Sequence, residues 1–282
     1  MAEKVMPGPV EDMRSVQEAV CVHTRKIYDS CRDKDCIEDL RFYPQMQYAD
    51  ILSRAMSVKG GSAKLLHVYV DVEPVSFNRG FYTVDIRFYY HVTLHAYLGN
   101  PIPATVEGLC VFDKRVILFG SEGNAKIFSS MMREGAPDKQ LLQRTNLPIA
   151  VVEAVDPIVL DARMVDRCDR RERDCELCEI PDFISGCFNG GLSGGDDGRR
   201  IYVTLGQFSI IRLERDSQLL IPIYDYCMPR KDCSGNQGLD AAEDPCSIFR
   251  NIDFPTGEFF PPNALRRNNA CRVEGIRNNC EC

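Results

Sequence analysis

The chain predicts an α+β fold: an antiparallel or mixed β-sheet core with a few helices, a cysteine-rich irregular insert and a cysteine-rich C-terminal tail. Three observations carry this. Apolar residues recur at three- and four-residue steps before about residue 60 and alternate after it. Runs of aromatic and β-branched residues then follow one another as far as residue 228. Most of the 14 cysteines lie outside those runs. The strand-like runs alternate with helix-like ones too irregularly for a doubly wound sheet.

Residues 11–32 read as an amphipathic helix, with Met13, Val16, Val20, Thr24, Ile27, Tyr28 and Cys31 on one stripe. Glu11 and Asp12 stand where carboxylates favour the positive end of a helix. A short second helix is expected over 36–42, before Pro44, and a third over 45–58, ended by Gly60-Gly61. Strands are then expected at 65–77 and 81–98, joined through Asn78-Arg79-Gly80. A second hairpin, 104–112 with 115–123, would turn at Asp113-Lys114, and 124–147 return to helix or loop. Further strands are expected at 149–157, 158–166, 201–214 and 218–228. The implied divisions are an N-terminal helical segment (1–62), a β-rich core (63–166), an insert (167–199), a hairpin continuing the core (200–230) and a tail (231–282).

At 282 residues, 44% hydrophobic and 27% charged, the chain can bury a large core and does not need disulfides to fold. A net charge of −7 argues against nucleic acid or an anionic membrane as the main partner. No apolar run approaches the ~18 residues that span a bilayer, and Glu153 interrupts the apolar stretch Leu147–Val155. The first residues carry no basic, apolar and cleavage-site pattern of a secretory signal, so synthesis in a reducing compartment is expected. So many thiols made there either ligate metal, stay reduced in a core, or oxidise later.

Cys110 stands alone in a strand and reads as a small buried hydrophobe. The others fall in groups: Cys21, Cys31 and Cys36; Cys168, Cys175, Cys178 and Cys187; Cys227, Cys233 and Cys246; Cys271, Cys280 and Cys282. All thirteen are candidates for disulfide crosslinks. Cys280 and Cys282 are too close to pair with each other without strain, so they are expected to pair outward. Cys168, Cys175, Cys178 and Cys187 could instead hold zinc, although only one C-x-x-C pair is present. His91 and His95 share one strand face and His67 lies on a neighbouring run, an arrangement open to metal binding or acid–base work but more often solvated. No nucleophile elbow, phosphate loop or dinucleotide fingerprint occurs, and no cofactor is expected. The glycine-rich 190–198 segment reads as a surface loop, and Asp33-Lys34-Asp35 as solvated surface.

Residues 20–44 (VCVHTRKIYDSCRDKDCIEDLRFYP), residues 150–166 (AVVEAVDPIVLDARMVD) and the cysteine-rich tail resemble the cysteine-rich proteins of clostridial spore surfaces. The resemblance implies a non-enzymatic structural protein of the exosporium or outer coat. It would assemble with itself, and with other coat proteins, into a disulfide-crosslinked two-dimensional lattice acting as a permeability barrier. It also implies synthesis in the mother cell, with oxidation after deposition.

Overall fold

A computed structural model describes residues 20–99, 101–127, 144–166, 180–194, 199–221, 229, 231–232 and 245–259. Their strands are β1 (Val20–Pro44), β2 (Ser57–Pro74), β3 (Phe81–Tyr97), β4 (Ala104–Phe119), β5 (Lys126–Ile127), β6 (Arg144–Thr145), β7 (Ile149–Ala154), β8 (Ile158–Asp166), β9 (Arg199–Ile221) and β10 (Lys231–Asp232). The helices are short: α1 (Ala49–Arg54), α2 (Asp182–Ser185), α3 (Pro245–Arg250) and α4 (Thr256–Phe259), with a 3₁₀ turn at Met46–Tyr48.

The fold is therefore sheet-dominated and mostly antiparallel, which corrects the α+β expectation. The path runs β2-β3-β4-β1-β9-β7, with β8 continuing β7 along β9 and β10 adding a short parallel pairing to β1. The largest correction falls on β1. Its residues 20–32 and 36–42, expected as helix, pair with β9 from Val20↔Ile221 to Phe42↔Ile201. Two bulges, at Ile27/Asp29 and Ile37/Leu40, interrupt the register. Asp39 takes φ 55° at the second, and its carboxylate is held by Arg163. Beyond this bend, Tyr43 and Pro44 pair with Leu109 and Gly108 of β4. One strand thus joins two sheets.

Three further expectations change. The helix over 45–58 shortens to the 3₁₀ turn and α1, and Gly60-Gly61 lie inside β2 rather than ending a helix. Asp113-Lys114 is not a turn: β4 runs straight through it, paired with β3 from Phe81↔Phe119 to Ala96↔Ala104. Likewise, 201–214 and 218–221 belong to one strand, β9. The hairpin at 78–80 is as expected, with Gly80 at φ 79°, and so are the strands at 149–154 and 158–166. Residues 11–19 lie outside the described residues.

The core lies between the sheets. β3 alternates cleanly, with Val84, Ile86, Phe88, Tyr90, Val92, Leu94 and Ala96 buried on the inward side. They meet Leu205, Ile211 and Leu213 of β9 and Ile37 of β1 in one apolar cluster. At the open edge, Leu65 N–H donates to Asp156 Oδ1 (2.9 Å), and a Cβ on Gly60 would stand 2.5 Å from Val159. β2 therefore closes against β8 by packing, and the sheet wraps around its core.

Gly108 lets β1 and β4 approach: an added Cβ would run into the carbonyl oxygen of Tyr43 and stand 2.7 Å from the Phe42 ring. Gly108→Ala is expected to cost about 1–3 kcal/mol, because backbone must move. Gly257→Ala, with nothing within 4 Å, should stay within about 0.5 kcal/mol of wild type. Urea unfolding of the two variants checks the contrast.

Candidate functional site

Two kinds of chemistry stand out on this scaffold: sulfur at the surface and a buried charged cluster between the sheets. Alternate residues of β1 face opposite ways, so Cys31, Asp33, Asp35 and Ile37 point inward while Lys34 and Cys36 point out.

Cys36 is disulfide-bonded to Cys246 on α3, with Cα atoms 5.6 Å apart across 210 residues of sequence. The bond clamps α3 against the outer face of β1 and β9. Phe249 packs on Phe208 (centroids 4.6 Å), and Gly206 provides the room, since a Cβ there would stand 2.7 Å from the Phe249 ring. Lys34 Nζ caps α3 by donating to the carbonyls of Arg250 and Ile252. Glu38 Oε1 lies 3.4 Å from Cys246 Sγ. Reduced, the two thiolates and Glu38 would offer three ligand atoms within 4.8 Å; oxidised, the sulfurs have no thiolate charge to offer a metal.

Cys31 is also disulfide-bonded and fully buried. Cys110 is a buried free thiol, as expected for a small apolar residue, and burial raises its pKa. Cys21 and Cys187 are free and exposed. Cys21 lies at the start of β1, opposite Leu220. Cys187 follows α2, in a segment whose Ile184 and Phe188 pack against Tyr43, Tyr89 and Leu109 at the other end of β1. Cys168, Cys175, Cys178, Cys227, Cys233, Cys271, Cys280 and Cys282 lie outside the described residues, and with them three of the four zinc-candidate thiols.

His67, His91 and His95 do share the outer face of β2 and β3, but each has its own surroundings. His67 meets Phe183 edge-on (5.0 Å), His91 stacks on Phe188 (5.4 Å) beside Glu107 (3.4 Å), and His95 Nδ1 is buried with no hydrogen-bond partner among the described residues. Among the described residues, no three ligand atoms converge around them.

The buried cluster was not legible as a site. Asp33 is 1% exposed and not solvated surface. Lys114 reaches in from β4, whose inward row is Cys110, Phe112, Lys114, Val116 and Leu118. Its Nζ donates to Asp33 Oδ2 and to both oxygens of Asp35, at 2.7 and 2.6 Å. The second oxygen of Asp33 accepts the backbone N–H of Lys34 at 2.8 Å. Side-chain exposures are 10% for Lys114, 0% for Asp33 and 15% for Asp35. Burial lowers the Lys114 ammonium to about 7 and raises the Asp35 carboxyl to about 7. Gln207 and Ser209, the cross-strand neighbours of Asp35 and Asp33 on β9, are also fully buried. Tyr90 OH and Ser209 Oγ have no hydrogen-bond partner among the described residues. The Tyr90 hydroxyl is pushed up by burial, then by the nearby Asp35 charge.

No protein-family model matches the chain, and no solved structure does. Among curated proteins it is similar to Exosporium protein A of Clostridium sporogenes (strain ATCC 15579). The two are 25% identical over 272 residues, covering 92% of this chain and 77% of the relative.

Proposed function

We propose that this chain is a non-enzymatic structural protein of the bacterial spore surface that assembles with itself into a disulfide-crosslinked sheet. The observation that carries this reading is the similarity to Exosporium protein A along nearly the whole chain. The thiol distribution supports it. Cys21 and Cys187 sit toward opposite ends of β1, a strand of 25 residues. At ~3.3 Å per residue their separation is tens of ångströms even with the bend, and a disulfide needs Cα atoms within about 7 Å. Each can therefore bond to another copy but not to the other within its own chain. Cysteines outside the described residues would add further joints, to other copies or to other coat proteins. Noncovalent contacts would set the geometry, disulfides would fix it, and the resulting lattice would pass small molecules while excluding large enzymes.

Non-reducing gels of air-oxidised full-length protein should show a ladder that collapses with reductant. The Cys21→Ser/Cys187→Ser double variant should lose at least the higher rungs. An unchanged ladder in that variant removes these two thiols from the scheme, and monomer alone in wild type removes the scheme.

A further inference from the structure

The inward row of β1 and the inward row of β4 bring an amine and two carboxyl groups together in a core where only apolar side chains are expected. Lys114 of β4 contacts both Asp33 and Asp35 of β1, 81 and 79 residues away in sequence. Apolar and aromatic side chains flank them: Ile86 is the cross-strand partner of Lys114, and Phe112 beside it stacks on Phe88, which in turn stacks on Tyr90. Three charges in such a place are costly, since desolvation outweighs much of the attraction a buried ion pair regains.

We propose that Lys114 and Asp33 condense to an amide, a covalent isopeptide tie between the two sheets, with Asp35 as the proton-transferring group. The roles follow from geometry. Asp33 is the acceptor: one oxygen faces the amine, and the other is held by the Lys34 backbone N–H, which is placed to stabilise the oxyanion of a tetrahedral intermediate. Asp35 is the shuttle, because both its oxygens lie on the amine. In the step, Asp35 takes a proton from the ammonium, and the freed amine attacks Asp33 Cγ. The N–Cγ bond forms, Asp35 passes that proton to the leaving oxygen of Asp33 and then carries the nitrogen's second surplus proton to the same oxygen, the Cγ–O bond breaks, one water leaves and Asp35 is regenerated. Nothing is oxidised or reduced, and no further reactant is needed. With Lys114 and Asp35 both titrating near 7, proton transfer between them is close to balanced. The product replaces buried charges with a neutral amide. The proposal does not rest on the spore-surface reading, and either can fail alone.

Intact-mass spectrometry of the reduced full chain tests it. Wild type should weigh one water less than its sequence, and trypsin should release Phe88–Arg115, uncut at Lys114, carrying the dipeptide Asp33-Lys34 as a branch. Asp35→Asn should fold with the same strand content by circular dichroism but keep its full mass. Full mass in wild type, with linear peptides containing Asp33 and ending at Lys114, overturns the proposal without recourse to any variant. A branch of Asp35–Arg41 instead would overturn the assignment of acceptor and shuttle.

Discussion

Lys114→Met should cost this fold about 3–5 kcal/mol, the largest loss expected from a single side chain. It leaves Asp33 and Asp35 both as buried carboxyl groups, with neither the ammonium nor the amide proposed above, and a buried charge stripped of its partner keeps its full desolvation penalty. Met fills much of the space vacated by the aliphatic stem, so the loss reports charge rather than a cavity. The charged groups facing this position are Asp33 and Asp35 of β1, and Tyr90 of β3 lies near Asp35. Asp35 already titrates near 7 with the lysine present, against 3.8 for an unhindered carboxyl. A carboxyl raised in the folded state binds more protons folded than unfolded. Its contribution is therefore fully present below about pH 4 and is lost as pH rises to 7 and beyond. The variant should accordingly lose up to about 1.4 kcal/mol for each pH unit climbed across that window, the free energy of one tenfold change in proton activity acting on one proton. Urea unfolding between pH 4 and 8 measures both effects. A variant as stable as wild type at pH 7 would mean the carboxyl groups are solvated.

The disulfide gives the second large effect. Cys36→Ser releases a link spanning 210 residues and should cost about 2–4 kcal/mol. Chain entropy is one part of this. The other is local: α3 is held on the sheet by Phe249 over Gly206, the two Lys34 hydrogen bonds and this bond. Thermal unfolding of wild type should fall on adding reductant. A Cys36→Ser variant that melts with reduced wild type would assign the fall to this pair. Equal melting of oxidised wild type and variant would show that the link adds nothing to stability.

What the sequence revealed depended on whether the relevant partner was near in the chain. β3 was legible because its inward side is apolar at every second residue, and its turn at 78–80 is local chemistry. β7 and β8 were legible for the same reason. Three long strands were not, because each carries charge where alternation predicts an apolar residue. In β1, Asp33 and Asp35 occupy inward positions, and the remaining apolar residues fall by chance at helical spacing. In β4, inward Lys114 beside outward Asp113 imitates a turn. Asp113 instead pairs with Arg87 on the outer face, beside a matching Arg115–Asp85 pair. In β9, Arg215 and Asp216 look like a break, yet Arg215 is 3% exposed and donates to the carbonyls of Gly120, Ser121 and Asn146. Each charge is satisfied by a group tens of residues away, so no local window shows that it belongs inside. The disulfide Cys36–Cys246 was hidden in the same way: both cysteines stood among the candidates, but spacing alone does not choose a partner.

Electron microscopy of the purified full-length chain, oxidised in air and then treated with reductant and denaturant, addresses the structural role most directly. Ordered two-dimensional sheets that survive denaturant until reductant is added are the expected result. Dispersed single copies under oxidising conditions, with Cys21 and Cys187 still alkylatable, would contradict it.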